Sequence, residues 1–287
     1  MENEIPLTGG RVTQGVVRIG STVRRPVKPN SAFVRGILHH LHTKAPGLGP
    51  EYLGQDPSGR EIFSYLPGLV PADLGFFSDG QCAEAARIIR RLHDGLSSYP
   101  GLPDGTTVCH GDLSPCNFVF RPDLSGMPCA VIDWDAAHIG HAHDDLAYAL
   151  WMWLDIGNDE QDAAYVRRRI SLMLSAYNAD PDTISPDRQE TTARTAISSC
   201  SADRNASFPP SAGSTAPSAS VSSSADCADP NASFSPSADC AENHAAMKMR
   251  ILREMHRVAG SVFPTPEQTA ATRAWALSCA AWAEAYL

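Results

Sequence analysis

The sequence predicts an α+β protein in which a small strand-rich lobe precedes a larger, mainly helical lobe. Three observations lead to this fold class: short apolar runs broken by glycines over residues 11–26, helical periodicity that returns late in the chain, and a strand–turn–strand pattern near its middle. A chain of 287 residues is long enough to bury one large core or two lobes that meet at a cleft.

The first lobe is predicted over residues 1–68. Strands interrupted by glycine turns come first. A helix is expected over residues 31–42, where apolar residues recur at helical spacing and Ser31 is placed to cap the first turn. Residues 50–66 then have the pattern of a hairpin, whose turn is the Asp-Pro-Ser-Gly segment 56–59.

The most informative segment is residues 108–120, which read VCHGDLSPCNFVF, together with residues 130–135, which read AVIDWD. Asp112 is placed to accept the proton of an attacking hydroxyl, and Asn117 and Asp133 offer oxygen ligands for Mg²⁺. Two strands joined by a tight turn would bring Asn117 and Asp133 to the rim of one cleft. The ordered set is more specific than an isolated His-x-Asp or Asp-x-Asp pair, because chance matches to a pair are common.

This pattern resembles the aminoglycoside phosphotransferase and choline kinase family, whose loop reads His-Gly-Asp-x-x-x-x-Asn and whose metal-binding segment reads Ile-Asp-(Trp/Phe)-(Asp/Glu). The resemblance continues through the Gly-x-x-x-x-Asp-Leu-Ala run of residues 140–147. It implies a bilobal protein-kinase-like fold with a reduced strand-rich N-lobe and a mainly helical C-lobe. It also implies that Asp112 is the catalytic base and that Asn117 and Asp133 hold Mg²⁺.

Three residues near the loop have two interpretations each. His110 either orients the loop or carries a proton alongside Asp112. Asp135 either adds a carboxylate to the metal's surroundings or is a solvated neighbour. Asp145 either braces the catalytic loop, as the resemblance implies, or caps the helix that begins beside it. The alternating histidines of residues 138–143 fit a polar loop better than a metal site, since no cysteine or second cluster has matching spacing.

The nucleotide-binding side of the cleft departs from the family pattern. No lysine lies inside a predicted strand, so Arg24 or Arg25 is the substitute for the lysine that reaches the phosphates, with a solvated strand end as the alternative. The predicted helix contains no glutamate to pair with a strand cation, which indicates a reduced nucleotide-binding lobe. By resemblance, Ser64, Tyr65 and Leu66 form the hinge whose backbone groups bind the purine.

Composition limits the partners. The net charge of −9 argues against nucleic acid as a substrate or partner and favours a neutral or cationic small molecule. Acidic residues over 155–162 either attract an amine-bearing acceptor or form the solvated start of a helix. The chain starts without a secretion leader, contains no apolar run long enough to cross a bilayer, and has eight scattered cysteines. A cytoplasmic protein with reduced thiols and no membrane partner is therefore expected.

The domain boundaries follow from changes in composition. The second lobe, with the catalytic and metal-binding loops, is predicted over residues 69–184. Residues 185–243 are dominated by Ser, Ala and Pro and contain a near repeat, which predicts a disordered insertion. Helices over residues 244–287 are expected to complete the second lobe, one of them over 246–258 and the last starting with a proline and spanning 266–287.

Two functions from different classes are predicted. The first is a Mg²⁺-dependent kinase that moves the γ-phosphate of ATP or GTP to a hydroxyl of a small molecule. The alternative is a nucleotide-binding regulatory or interaction protein without turnover, which the missing strand lysine and helix glutamate favour. The set of Asp112, Asn117 and Asp133 argues for the enzyme, because a non-catalytic binder has no use for the base. A metal-dependent hydrolase ranks third, since the sequence lacks a second metal cluster.

Overall fold

The computed structural model describes residues 3–7, 15–121, 126–179 and 238–287. Residues 11–14 of the predicted first strands and residues 185–237 of the predicted insertion lie outside these ranges.

The N-terminal lobe is a five-stranded antiparallel sheet with one helix packed beside it. The strands lie in the order β1-β2-β3-β5-β4. Their bounds are β1 (Ile5–Pro6), β2 (Val17–Ile19), β3 (Thr22–Arg25), β4 (Tyr52–Gln55) and β5 (Glu61–Ser64). In the pairing of β3 with β5, Arg25 lies opposite Glu61, which places a cation and a carboxylate next to each other at the end of both strands.

The predicted hairpin is β4 and β5, and its turn is built around Asp56. The Asp56 carboxylate accepts hydrogen bonds from the backbone N–H groups of Ser58 and Arg60, both at 2.9 Å. Gly59 has a φ of 78°, a left-handed conformation that glycine adopts without steric cost. This turn chemistry is the reason the Asp-Pro-Ser-Gly segment could be identified from sequence.

The helix of this lobe, α1 (Ser31–Lys44), has an apolar face made by Val34, Ile37, Leu38 and Leu41. The prediction that Ser31 caps this helix is wrong. The N-cap is Asn30, without a side-chain cap bond, and Ser31 is the first helical residue. Its hydroxyl donates instead to Oε2 of Glu61 at 2.7 Å, because a fully buried carboxylate needs donors.

The C-terminal lobe is mainly helical. Its helices are α2 (Asp79–Leu96), α3 (Ala142–Trp153), α4 (Ala163–Asn178), α5 (Ala238–Ala259) and α6 (Pro266–Tyr286). Helices α2 and α6 each begin with a capping box, formed by Ser78 with Gln81 and by Thr265 with Gln268. Helix α5 starts eight residues before the predicted position, whereas α6 begins at the predicted proline.

Two small antiparallel sheets carry the functional loops. Strand β6 (Thr107–Cys109) pairs with β9 (His138–Gly140), and β7 (Phe118–Arg121) pairs with β8 (Met127–Val131). The loop with the His-Gly-Asp sequence follows β6, and the loop with the Ile-Asp-Trp-Asp sequence follows β8. The two loops are therefore anchored by neighbouring strand pairs.

One hydrophobic core connects the lobes, because α1 contributes its apolar face to the same cluster as α2, α3, α5 and α6. Its largest fully buried side chains include Trp134, Trp151, Trp153 and Phe118. In the described ranges, no helix has the combination of length and apolarity that a bilayer span requires. The prediction of an α+β protein with a strand-rich N-terminal lobe and a helical C-terminal lobe is confirmed.

Candidate active site

Asp145, near the start of α3, holds the catalytic loop. Its carboxylate accepts hydrogen bonds from the backbone N–H groups of His110 (2.8 Å) and Gly111 (2.9 Å), and from Nε2 of His93 (3.1 Å). Although burial opposes it, the hydrogen bond and charge of His93 hold the pKa of Asp145 below its ordinary value. These contacts go to the loop and to α2 and not to the start of α3, so the geometry favours a brace over a helix cap.

His110 is buried in the middle of the loop and is bonded at both ring nitrogens. Nδ1 accepts a hydrogen bond from the backbone N–H of Asp112 at 3.3 Å, so Nε2 carries the proton and donates to the carbonyl oxygen of Ile132 at 3.1 Å. The ring also meets Trp134 edge to face, with the centroids 4.7 Å apart. This arrangement favours the loop-orienting interpretation of His110, because both nitrogens are used inside the protein.

Gly111 lies where the two loops touch. Its φ is 81°, and a Cβ atom at this position would lie 2.4 Å from the carbonyl oxygen of Ala136. Only glycine fits there without moving the backbone, because the clash is with main chain and not with a flexible side chain.

The carboxylate of Asp112 reaches the cleft from this loop and has one neighbour that the sequence did not identify. Nδ2 of Asn117 donates to the backbone carbonyl of Asp112 at 2.8 Å, which fixes the loop between them. The hydroxyl of Tyr148, on α3, donates to Oδ1 of Asp112 at 2.9 Å. Tyr148 follows Asp145 by three residues, so helical spacing places both on the side of α3 that faces the loop.

The metal-binding loop joins the catalytic loop through one backbone bond, from the N–H of Ile132 to the carbonyl of Asn117 at 2.8 Å. Asp133 has left-handed backbone angles (φ 61°, ψ 69°) at the start of a short 3-10 turn, Trp134–Ala136. Desolvation, followed by the negative charge of Asp135, raises the pKa of Asp133. A site with crowded carboxylates and an amide oxygen suits a hard cation such as Mg²⁺, which would relieve this repulsion. The residues present therefore fit the implied metal.

Members of the histidine cluster and of the acidic segment form hydrogen bonds with the protein backbone. His138 and His141 hydrogen-bond to the carbonyl oxygens of Ala136 and Gly105. Within the residues described, no group of three or more His, Cys, Asp or Glu side chains is arranged to hold a metal ion. Asp162 caps α4 by accepting from the backbone N–H of Tyr165 at 3.1 Å. These contacts support the polar-loop and helix-start interpretations.

The carboxylate of Asp135 binds two cationic side chains of the N-terminal lobe. Its carboxylate binds Nη1 of Arg25 at 2.7 Å and Nζ of Lys28, and its backbone carbonyl accepts from the side-chain amide of Asn30. Although desolvation opposes it, the hydrogen bond from Lys28 and the charge of Arg25 hold the pKa of Asp135 below its ordinary value. Asp135 therefore connects the two lobes at the cleft, and Lys28 joins the site from outside any strand.

The structure separates the two arginines that the sequence left as alternatives. Arg25 contacts Asp135 in the cleft, and its Nε lies 3.2 Å from Oε2 of the buried Glu61. Arg24 points to the other face of the strand, where it donates to the hydroxyl of Thr22 and lies 3.9 Å from Asp56. Arg25 is thus brought to the site and Arg24 is not. Helix α1 contains no glutamate, and Arg25 pairs with Glu61 on β5.

The predicted hinge starts at Ser64, the last residue of β5, and continues through Tyr65 and Leu66. The backbone N–H groups of Ser64 and Tyr65 donate to the carbonyls of Glu51 and Ser21, both at 2.9 Å. The guanidinium of Arg18 stacks over the Tyr65 ring at 3.9 Å from its centroid. These contacts fix the segment between the lobes, and its binding of a purine stays a prediction.

The comparisons with known proteins agree with the motif. Residues 100–179 match the family model described as the phosphotransferase enzyme family, APH. The trifolitoxin immunity protein of Rhizobium leguminosarum bv. trifolii is 32% identical over 176 residues, which cover 56% of this chain and 66% of that protein. The chain thus spans just under two thirds of that curated relative. The resemblance to the aminoglycoside phosphotransferase and choline kinase family is confirmed for the matched segment.

Two solved structures of kinases are similar to this chain. A microcompartment-associated aminopropanol kinase matches with a TM-score of 0.55 and 12% identity, covering 99% of this chain and 92% of that chain. An aminoglycoside phosphotransferase from Streptomyces rimosus, in complex with ADP and streptomycin, matches with a TM-score of 0.46 and 18% identity over 62% of this chain and 88% of its own. The likeness to the aminopropanol kinase shows that the chain has this kinase fold.

Proposed function

We propose that this chain is a Mg²⁺-dependent phosphotransferase that moves the γ-phosphate of ATP or GTP to a hydroxyl of a small molecule. The main observation in favour of this proposal is that the predicted catalytic loop and the predicted metal-binding loop are connected. The backbone N–H of Ile132 donates a hydrogen bond to the carbonyl of Asn117. This connection supports Asp112 as the base and Asn117 and Asp133 as the ligands of the metal. The family match over residues 100–179 supports the same activity.

In the proposed reaction, Asp112 accepts the proton of the acceptor hydroxyl as that oxygen attacks the γ-phosphate. Asp145 and His110 hold the loop so that this carboxylate is in place before the acceptor binds. Asn117 and Asp133 would hold Mg²⁺, which supplies positive charge that neutralises the phosphate oxygens.

The positive charge that the protein itself supplies comes from Arg25 and Lys28. Both side chains donate hydrogen bonds to the carboxylate of Asp135, in the predicted metal-binding loop. Arg25 is held between Glu61, Asp135 and the ring of Phe63, over which its guanidinium lies 4.7 Å from the centroid. We therefore assign the role of the strand cation to Arg25, with Lys28 as a second cation beside it.

The acceptor is a small molecule whose identity the fold does not define. The relative is named as an immunity protein toward trifolitoxin. A toxin that carries a hydroxyl therefore belongs among the acceptors to be tested, beside the amine-bearing compounds that the net charge of −9 favours. We also propose a cytoplasmic location, where the nucleotide donor is available, and no nucleic acid partner.

A second candidate function is nucleotide binding without turnover. The observation in its favour is that Arg25 is already bonded to the carboxylates of Glu61 and Asp135, which would compete with nucleotide phosphates. Asp112 argues against it, because a carboxylate held at the cleft would repel bound phosphates unless it served the transfer.

An acceptor screen separates the two candidates. The purified chain is incubated with ATP or GTP and Mg²⁺ against aminoglycosides, choline-like amines, sugars, amino alcohols and hydroxyl-bearing toxins. Nucleoside diphosphate release and the mass of the phosphorylated product are measured. The phosphotransferase predicts release that depends on both an acceptor and Mg²⁺ and stops with a chelator. Nucleotide binding without release for any acceptor would support the second candidate instead.

A further inference from the structure

Tyr148 contacts the candidate base directly, and neither the motif nor the family match assigns it a role. Its hydroxyl donates to Oδ1 of Asp112 at 2.9 Å. The ring is held from the other side by Trp151, which it meets edge to face with the centroids 6.0 Å apart. Trp151 is buried and stacks on Trp275 at 4.8 Å. The ring of Tyr148 is therefore packed against other aromatic side chains, which limits the positions that its hydroxyl can take.

This contact defines which oxygen of Asp112 is available. In the described part of the chain, Oδ1 accepts the Tyr148 hydroxyl and no hydrogen bond reaches Oδ2. The backbone of Asp112 is fixed separately, through its carbonyl by Asn117 and through its N–H by His110. With its backbone and one carboxylate oxygen held, the carboxylate leaves Oδ2 as the more accessible oxygen for an acceptor.

Tyr148 keeps its proton at neutral pH. Burial, followed by the negative charge of Asp112, raises its pKa far above the ordinary value, so the phenol acts as a hydrogen-bond donor. The other charged groups that face this pair are Arg257 on α5 and Asp145 on α3, and His110 lies behind the loop.

We propose that Tyr148 is a positioning residue for phosphoryl transfer: its hydroxyl orients Asp112 so that Oδ2 faces the acceptor hydroxyl. This inference rests on the proposed function. It does not require that Tyr148 touch the acceptor or the nucleotide.

The test is Tyr148→Phe, which removes the hydroxyl and keeps the ring that packs on Trp151. The matched control is Tyr286→Phe, because Tyr286 is an exposed tyrosine at the end of α6. The acceptor is one identified by the screen, and kcat, KM, nucleotide Kd and Tm are measured. We expect kcat to fall by about ten- to hundredfold, the range for losing one hydrogen bond to a charged group, with nucleotide Kd and Tm nearly unchanged.

Two readouts distinguish positioning from a purely structural role. In Tyr148→Phe, kcat should fall while KM for the acceptor stays nearly unchanged, because the orientation of the base matters in the transition state and not for binding. In an Asp112→Asn background, the substitution should have almost no further effect on kcat, because Tyr148 acts through Asp112. The control variant should match the wild type in every measurement.

Several results would overturn the proposal. One is a kcat that matches the wild type in Tyr148→Phe. Another is a full further loss of kcat when Tyr148→Phe is added to Asp112→Asn. A third is a loss of activity that follows a fall in Tm or in nucleotide affinity. If the wild type binds nucleotide but transfers phosphate to no acceptor, the proposed function fails first, and this inference fails with it.

Discussion

At the residue scale, the position between the two functional loops requires a glycine. Gly111 has a φ of 81°, and a Cβ atom there would lie 2.4 Å from the Ala136 carbonyl oxygen. Gly105 offers a matched control, since its φ is 71° but nothing lies within 4 Å of the position of its Cβ. The pair separates left-handed backbone strain from a steric clash between the two functional loops.

We expect Gly105→Ala to lower the free energy of unfolding by about 1 kcal/mol, the cost of a left-handed alanine. Gly111→Ala should lower it by about 3 kcal/mol or more and should also reduce Mg²⁺-dependent nucleotide binding, because the loops must move apart. Denaturant unfolding and calorimetric titration measure the two effects. Equal losses in both variants would contradict the close approach at Gly111.

Asp133 gives a residue-scale prediction about the metal. Asp133→Asn removes a charge from a loop where desolvation and Asp135 raise the pKa of the native carboxyl. Without a metal, the variant should therefore be as stable as the wild type or more stable. The increase in nucleotide affinity that Mg²⁺ gives to the wild type should disappear. Titrations of nucleotide with and without Mg²⁺ measure this difference, and a full metal effect in the variant would rule out Asp133 as a ligand.

The sequence identified Asp112, Asn117 and Asp133 because their order and spacing form a motif. It did not identify Tyr148 or Lys28, whose roles depend on which loop α3 and the segment after β3 meet in space. It misassigned Ser31 because a cap is a local inference, whereas the hydroxyl is drawn to Glu61, thirty residues away. Such partners are set by tertiary contacts that local patterns do not contain.

At the element scale, α2 and α3 hold the catalytic loop through a chain of buried polar groups. Tyr177 on α4 hydrogen-bonds Nδ1 of His93 at 2.9 Å, and Nε2 of His93 binds Asp145. Asp145 in turn binds the loop backbone at His110 and Gly111. Three helices thus position the loop through one carboxylate, so its charge state should affect stability.

The stability given by Asp145 should depend on pH. Its pKa is lowered in the folded state, so the stabilisation is present above the ordinary carboxyl value of about 4 and is lost as the pH falls through the lower folded value. Asp145→Asn removes this titration. The Tm gap between wild type and variant should be widest above about pH 5 and should narrow under more acidic conditions. A gap that stays constant with pH would contradict the lowered pKa.

Boundaries of helices and strands were predicted correctly where turn or cap residues mark them, and incorrectly where no such residue is present. The hairpin of β4 and β5 and the start of α6 carry turn and cap residues, so their positions followed from sequence. Helix α5 begins at Ala238, inside a segment whose Ser- and Ala-rich composition gave no apolar periodicity. Alanine favours helices without producing an amphipathic pattern, so the first turns of α5 were assigned to the insertion.

At the scale of the whole molecule, Asp135 connects the two lobes. It accepts hydrogen bonds from Arg25, Lys28 and Asn30 of the N-terminal lobe. Apolar packing adds to this contact, because α1 shares the core of the C-terminal lobe. The fold class could be predicted because strand-rich and helical segments are separated along the chain. The contacts of Asp135 could not, since they join residues more than a hundred positions apart.

The predicted insertion gives a whole-molecule test of the domain boundaries. Replacing residues 185–237 with a short Gly/Ser linker leaves α4 and α5 intact. Because halving or doubling a loop changes its closure free energy by only about 0.6 kcal/mol, Tm should stay the same or rise slightly. Nucleotide affinity should be unchanged, since every residue assigned to it precedes Asp145. A variant that fails to fold would show that the segment contributes to the packed structure.

The most direct test of the central claim is the transfer rate of Asp112→Asn beside the wild type, with nucleotide Kd measured on both proteins. The substitution keeps the shape of the side chain and removes the base. The account predicts a fall in kcat of about a hundredfold or more with the identified acceptor, while the nucleotide Kd stays nearly the same. Equal transfer rates in the two proteins would contradict the assignment of Asp112 as the base and, with it, the proposed mechanism.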